Sequence, residues 1–167
     1  MPSFLAIYTV AHVLISLVGI GSGIIVVGGL FESNRLTRPT RVFLASTTLT
    51  SLTGFGFPFD HLLPSHIVAL LSLAVLIVAI FARYGRGLAG AWRGLYVIAA
   101  MLALYFNVFV FVVQTFQKVQ LLKNLAPTQT EPPFAITQLA VLGMFVVITI
   151  MATLKFHPER KRSTTSV

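Results

Sequence analysis

The chain has 167 residues, of which 56% are hydrophobic and only 10% are charged, and its net charge is +8. Soluble domains carry about 25% charged residues, so this composition excludes an ordinary soluble domain. There is no cysteine, which excludes disulfides, thiolate metal sites and cysteine nucleophiles. The basic residues stand mainly at the ends of apolar runs, which predicts contact with lipid headgroups in a bilayer and no nucleic-acid partner.

The first apolar run, residues 4–31, contains no charged residue, proline, asparagine or glutamine. A hydrocarbon core of about 30 Å is crossed by about 20 helical residues, so this run is long enough to span a membrane. Arg35, Arg38 and Arg41 follow it directly. Such an abrupt change to basic residues is typical of a membrane exit.

Four further apolar runs follow, at residues 42–59, 67–82, 94–116 and 134–156. The second is the weakest, because serine and threonine dilute it. Their hydroxyls can bond to helical carbonyls three or four residues back, so a buried helix tolerates them. We therefore expect an all-α transmembrane helical bundle of five spans over residues 1–156, followed by a basic cytoplasmic tail at 157–167.

The distribution of basic residues indicates whether the second run crosses. If all five runs cross, one side of the membrane collects Arg35, Arg38, Arg41, Arg83, Arg86, Arg93, Lys155, Arg160, Lys161 and Arg162, and the other has Lys118 and Lys123. The positive-inside rule makes the richer side cytoplasmic. This predicts a multi-pass protein of the plasma (inner) membrane with the N-terminus outside and the C-terminus in the cytoplasm. If the second run did not cross, the asymmetry would disappear.

The loop before the last span contains two different patterns. Lys118–Leu125 predicts a short helix on the outer interface, and Ala126–Pro133 predicts an extended segment, because consecutive prolines break helices. Within the first span, Gly19 and Gly23 have the spacing that lets another helix approach closely. That helix belongs either to this chain or to a partner, in a homo-oligomer or a larger membrane complex.

Four stretches carry a resemblance to a known group: LALYFNVFVFVVQTFQKV (102–119), NLAPTQTEPPF (124–134), GFGFPFDHLLPSHIV (54–68) and LAGAWRGLYV (88–97). Together they resemble a family of small bacterial integral membrane proteins to which no activity is assigned. The resemblance implies location and structural class, and it implies no site residue.

Non-hydroxyl polar side chains within the spans concentrate in the outer half of the predicted bundle. We call His12, Asn107, Gln114 and Gln138 the outer polar cluster. At about 1.5 Å per residue, His12 lies about 12 Å from the outer end of its span and Asn107 at about 15 Å. An unpaired polar group in hydrocarbon costs several kcal/mol, so these side chains are expected to face the bundle interior.

Three different functions are compatible with these residues. The first is an interhelical hydrogen-bond network in a non-enzymatic packing or accessory subunit. The second is a redox protein, in which His12 and His66 ligate haem or a metal, with Asp60 and His61 as an alternative surface metal site. The third is a transporter or a lipid- or quinone-binding protein with an outward-facing pocket. The spans contain no acidic residue and number five, which disfavours a carboxylate proton relay and a two-repeat transporter.

Overall fold

The computed structural model describes residues 2–57 and 64–158, and this part of the chain is helical without any strand. Its helices are α1 (Pro2–Phe31), α2 (Thr37–Gly54), α3 (Pro64–Ile80), α4 (Ala91–Lys118), α5 (Gln120–Leu125) and α6 (Pro132–Lys155). The predicted all-α class is confirmed. Of the predicted basic tail, only His157 and Pro158 fall within the described residues.

Among the described residues, four segments are long and apolar enough to cross a membrane: Phe4–Phe31, Ser65–Gly85, Ala91–Lys118 and Pro132–Lys155. They correspond to the first, third, fourth and fifth predicted spans. The remaining long helix, α2, has 18 residues but includes Arg38, Arg41 and many hydroxyl side chains. The described part of the chain is therefore a helical bundle with the length and composition of a membrane protein.

Helices α1 and α2 pack against each other along most of their length and run antiparallel. Near the start of α1, the Tyr8 hydroxyl donates to the backbone carbonyl of Thr53 at 2.7 Å, close to the end of α2. Further along α1, Gly23 lies against the ring of Phe43, near the start of α2. Because these contacts involve both ends of α2, this helix packs against α1 along its whole length.

One end of the bundle gathers arginine side chains, and we call it the basic end. Arg83 lies in a π-helical turn, Phe81–Gly85, that continues α3. It is only 8% exposed, and it donates to the backbone carbonyl of Arg35 at 2.6 Å and to the Tyr96 hydroxyl at 3.3 Å. Arg93 donates to the backbone carbonyl of Phe156 at 2.9 Å. At the basic end, backbone carbonyl groups and the Tyr96 hydroxyl thus accept the hydrogen bonds of Arg83 and Arg93.

Helix α2 and the second apolar run have different bounds. Helix α2 begins at Thr37 rather than at residue 42, and it ends at Gly54 rather than at residue 59. Pro39 lies in the first turn, where a missing N–H removes no helical hydrogen bond. The helix extends beyond the start of the apolar run into the arginine-bearing segment.

The loop before α6 confirms one prediction and corrects another. The short helix expected within Lys118–Leu125 is α5. The expectation that Ala126–Pro133 is extended was wrong at its last two residues, because Pro132 and Pro133 form the first turn of α6. Proline is compatible with the first helical turn, since its fixed φ suits the helix and its absent N–H is not needed there.

Glu131 accepts hydrogen bonds from residues of the loop before α6. Its carboxylate accepts hydrogen bonds from the Thr128 hydroxyl at 2.8 Å and from the backbone N–H of Thr130 at 3.1 Å. Slight desolvation raises the pKa of Glu131, but these hydrogen bonds outweigh it and hold that pKa below its ordinary value. The loop is therefore an ordered connection that leads directly into α6.

Candidate functional site

His12 lies on α1 and joins it to α2. Its Nδ1 is 2.8 Å from the Thr53 hydroxyl, and its ring meets the edge of the Phe57 ring at 5.1 Å between centroids. The Thr53 hydroxyl donates its own proton to the backbone carbonyl of Leu49 at 2.7 Å. Which of the two groups donates in the His12–Thr53 hydrogen bond depends on the tautomer of the His12 ring.

Asn107 joins α4 to α1 and is only 6% exposed. Its Oδ1 accepts from the Ser16 hydroxyl at 2.7 Å, and its Nδ2 donates to the backbone carbonyl of Ser16 at 3.4 Å. Both polar atoms of the amide are thus used across one helix pair. A buried amide satisfied in this way stabilises the helix contact and is not directed towards a cavity.

The other two members of the outer polar cluster behave differently. Gln138 on α6 donates through Nε2 to the backbone carbonyl of Phe109 on α4 at 3.3 Å, while its buried Oε1 has no partner among the described residues. Gln114 is half-buried and makes no hydrogen bond within the described part of the chain. His12, Asn107 and Gln138 each bond to a neighbouring helix, and the four side chains do not form one connected network.

The two histidines chosen as a ligand pair lie on either side of the turn that follows α2. His66 is 3% exposed and stacks on the ring of Phe55 at 5.5 Å between centroids, whereas His12 contacts Phe57. The alternative metal residues, Asp60 and His61, lie outside the described residues. Within residues 2–57 and 64–158, no group of three or more His, Cys, Asp or Glu is placed to hold a metal ion.

The glycine spacing in α1 is used inside the chain. Gly19 and Gly23 are buried, and an added Cβ would lie 2.9 Å from Asn107 Nδ2 at the first and 2.6 Å from Leu104 Cδ1 at the second. The close approach therefore serves α2 and α4, in agreement with packing within this chain. Association with a second protein through this glycine face stays a prediction.

A set of polar contacts on α2 was not predicted. We call Ser46, Thr47, Thr50 and Ser51 the hydroxyl seam. Ser51 bonds to the Ser72 hydroxyl on α3 at 3.1 Å, and the hydroxyls of Thr47 and Thr50 are buried without a partner among the described residues. These residues form two adjacent pairs that are one helical turn apart. This spacing in the sequence indicates a polar face on the helix.

Two surface cavities stand out in the described structure. One, of about 540 Å³, is a groove between α2 and α3, and the other, of about 260 Å³, lies between the end of α4 and the following loop. Neither is lined by a member of the outer polar cluster. The interior polar groups and the surface cavities are therefore separate features of the molecule.

No protein-family model matches this chain, and neither the search of curated proteins nor the search of solved structures returns a match. The resemblance to small bacterial integral membrane proteins stays a prediction.

Proposed function

We propose that the chain is a five-span protein of the plasma (inner) membrane, with its N-terminus outside and its C-terminus in the cytoplasm. Two contacts support the crossing of α2. The Thr53 end of α2 bonds to Tyr8, near the start of α1. At the basic end, Arg35 Nη2 donates to the backbone carbonyl of Gly87 at 3.4 Å, which brings the loop after α1 next to the loop after α3. Two loops on one face require two crossings between them.

Cysteine accessibility tests this topology, because the chain has no cysteine of its own. We expect Asn124→Cys to react with a membrane-impermeant maleimide in intact spheroplasts. Asn34→Cys and Ala89→Cys should react only after permeabilisation. All three positions are exposed at the protein surface, so burial within the protein does not limit labelling.

Asn34→Cys serves as the control, since it follows the first span and is cytoplasmic whether or not α2 crosses. If α2 stays on the cytoplasmic side, Ala89→Cys and Asn124→Cys exchange their labelling. Labelling of Ala89→Cys in intact spheroplasts would therefore overturn the five-span proposal.

We propose further that this protein is a non-enzymatic packing or accessory subunit. The observation that carries this proposal is the use of interior polar groups between helices. Thr53, Ser16 and the backbone carbonyl of Phe109 take up the hydrogen bonds of His12, Asn107 and Gln138. Such bonds are worth about 0.6 kcal/mol each on average, so they contribute to helix association.

Helix α6 provides the surface that we assign to a partner protein. It packs mainly on α4, and its outer face includes Leu139, which is 67% exposed, and Leu154, which is 71% exposed. Gly19 and Gly23 are already covered within the chain. The remaining apolar surface of α6 is therefore the face that we propose for association with another membrane helix.

Site-specific photo-crosslinking in intact membranes tests this assignment. We expect a crosslinker at Leu139 to form protein adducts, and the matched control at Ile77 on α3, which is 68% exposed, to form lipid adducts only. An adduct with a second copy identifies a homo-oligomer, and one with another protein identifies a larger complex. Lipid adducts alone at Leu139 would contradict the accessory function.

The absorption spectrum of the purified protein separates this function from the redox alternative. We expect no Soret band. A Soret band that is lost in His12→Ala would assign haem to His12 and overturn the packing interpretation.

A further inference from the structure

The larger of the two cavities described above is the groove between α2 and α3. Its lining includes Arg41, Leu44, Leu49, Leu52, Ile80 and Tyr84. Leu49 and Leu52 are 46% and 53% exposed, so the groove is open to its surroundings along its length.

The floor of the groove offers no polar group that needs a partner. The one hydroxyl among its α2 residues belongs to Thr48, which donates to the backbone carbonyl of Leu44 at 2.7 Å. A hydroxyl satisfied within its own helix leaves an apolar surface for the occupant. A surface of this kind suits a hydrocarbon chain.

One end of the groove is cationic. Arg41 lines it and makes neither a hydrogen bond nor an ion pair with any described residue, so its guanidinium is available to a ligand. Tyr84 lies at the same end, is 50% exposed, and has the Arg83 guanidinium 5.7 Å from its ring centroid. Arginine binds phosphate oxygens with two parallel N–H groups, which suits an anionic headgroup.

The distance from Arg41 to Leu52 matches the depth of one lipid leaflet. Eleven helical residues rise about 16 Å, and half of a 30 Å hydrocarbon core is about 15 Å. We propose that an anionic glycerophospholipid of the cytoplasmic leaflet binds here, with its phosphate on Arg41 and one acyl chain along the groove towards Leu52. The leaflet assignment and the match to leaflet depth rest on the proposed crossing of α2, whereas the binding of the phosphate to Arg41 does not.

Native mass spectrometry of the delipidated protein in detergent tests the headgroup. We expect phosphatidylglycerol to bind more tightly than phosphatidylcholine, and Arg41→Gln to weaken phosphatidylglycerol about fivefold, as loss of one basic contact near a lipid headgroup implies. The matched control is Arg38→Gln, which removes an exposed charge from the same helix outside the groove lining. It should change the affinity less than twofold.

Filling the groove tests the acyl chain. Ala45→Phe places a ring between Arg41 and Leu49, and it should weaken phosphatidylglycerol at least fivefold, whereas Ala140→Phe on the exposed face of α6 should not. Glycerol 3-phosphate, which has the charge without the chains, should not compete. Circular dichroism confirms that each variant is folded.

Three results would overturn the lipid proposal: equal weakening by Arg38→Gln and Arg41→Gln, unchanged binding to Ala45→Phe, or loss of a dimer in Ala45→Phe, which would make the groove an interface between copies. These measurements use detergent-solubilised protein. Failure of the lipid proposal is therefore distinguishable from failure of the topology, which cysteine labelling measures.

Discussion

Replacement of Gly23 by leucine is expected to destabilise the bundle by about 2 kcal/mol, because the site has no room for a side chain. The first added carbon would lie 2.6 Å from Leu104 Cδ1 and 3.1 Å from the Phe43 ring, and both neighbours are buried. Overpacking of this kind costs about 3 kcal/mol at the upper end of its usual range. Leucine has a better helix propensity than glycine, and this difference offsets about 1 kcal/mol of the cost.

Gly21→Leu is the matched control, since nothing lies within 4 Å of a Cβ at that position. We expect it to be neutral or slightly stabilising. Unfolding by titration with dodecyl sulfate, followed by circular dichroism, compares the two variants in the same detergent. Equal stability of Gly21→Leu and Gly23→Leu would contradict the close packing of α1 with α2 and α4.

Arg83→Met is expected to cost about 2 kcal/mol of stability. The guanidinium donates to the backbone carbonyl of Arg35 and to the Tyr96 hydroxyl, and it lies 5.4 Å from the centroid of the Tyr96 ring. Hydrogen bonds to charged groups contribute about 1.5–3 kcal/mol each, and removal of the donor leaves acceptors unsatisfied. The desolvation of a buried cation offsets part of this gain, so the net effect is smaller than the sum.

Arg86→Met is the control, because Arg86 is exposed and contacts the face of Trp92 at 5.5 Å, an interaction worth about 0.5–1 kcal/mol at such sites. Arg83→Lys should fall between the two, since an ammonium group keeps the charge but loses the planar fork. Thermal unfolding in detergent ranks the three variants. If Arg83→Met and Arg86→Met unfold at the same temperature, Arg83 does not hold the basic end together.

The sequence predicted the helices well because membrane spans depend on a composition that extends over about 20 residues. The bounds of α2 were harder to predict, since a helix continues past the end of its apolar stretch and Pro39 does not interrupt the first turn. The helical start at Pro132 was missed for the same reason, because proline disrupts a helix interior and suits its first turn.

The hydrogen-bond partners of the site residues could not be predicted from the spacing of residues along the sequence. His12 bonds to Thr53, and Asn107 bonds to Ser16. Each pair depends on the rotation of two helices about their axes, which spacing within one helix does not fix. The depths of these side chains could be estimated from the rise per residue, but their partners could not.

The pairing of α1 with α2 has a consequence for biogenesis. In the proposed topology, α2 is too polar to partition into lipid efficiently as an isolated segment, because threonine, serine and arginine reduce its apolar character. Its hydroxyl seam is masked by neighbouring helices, and a short connection joins it to α1. The two helices should therefore leave the translocon as one hairpin, and a chain made without α1 should fail to integrate α2.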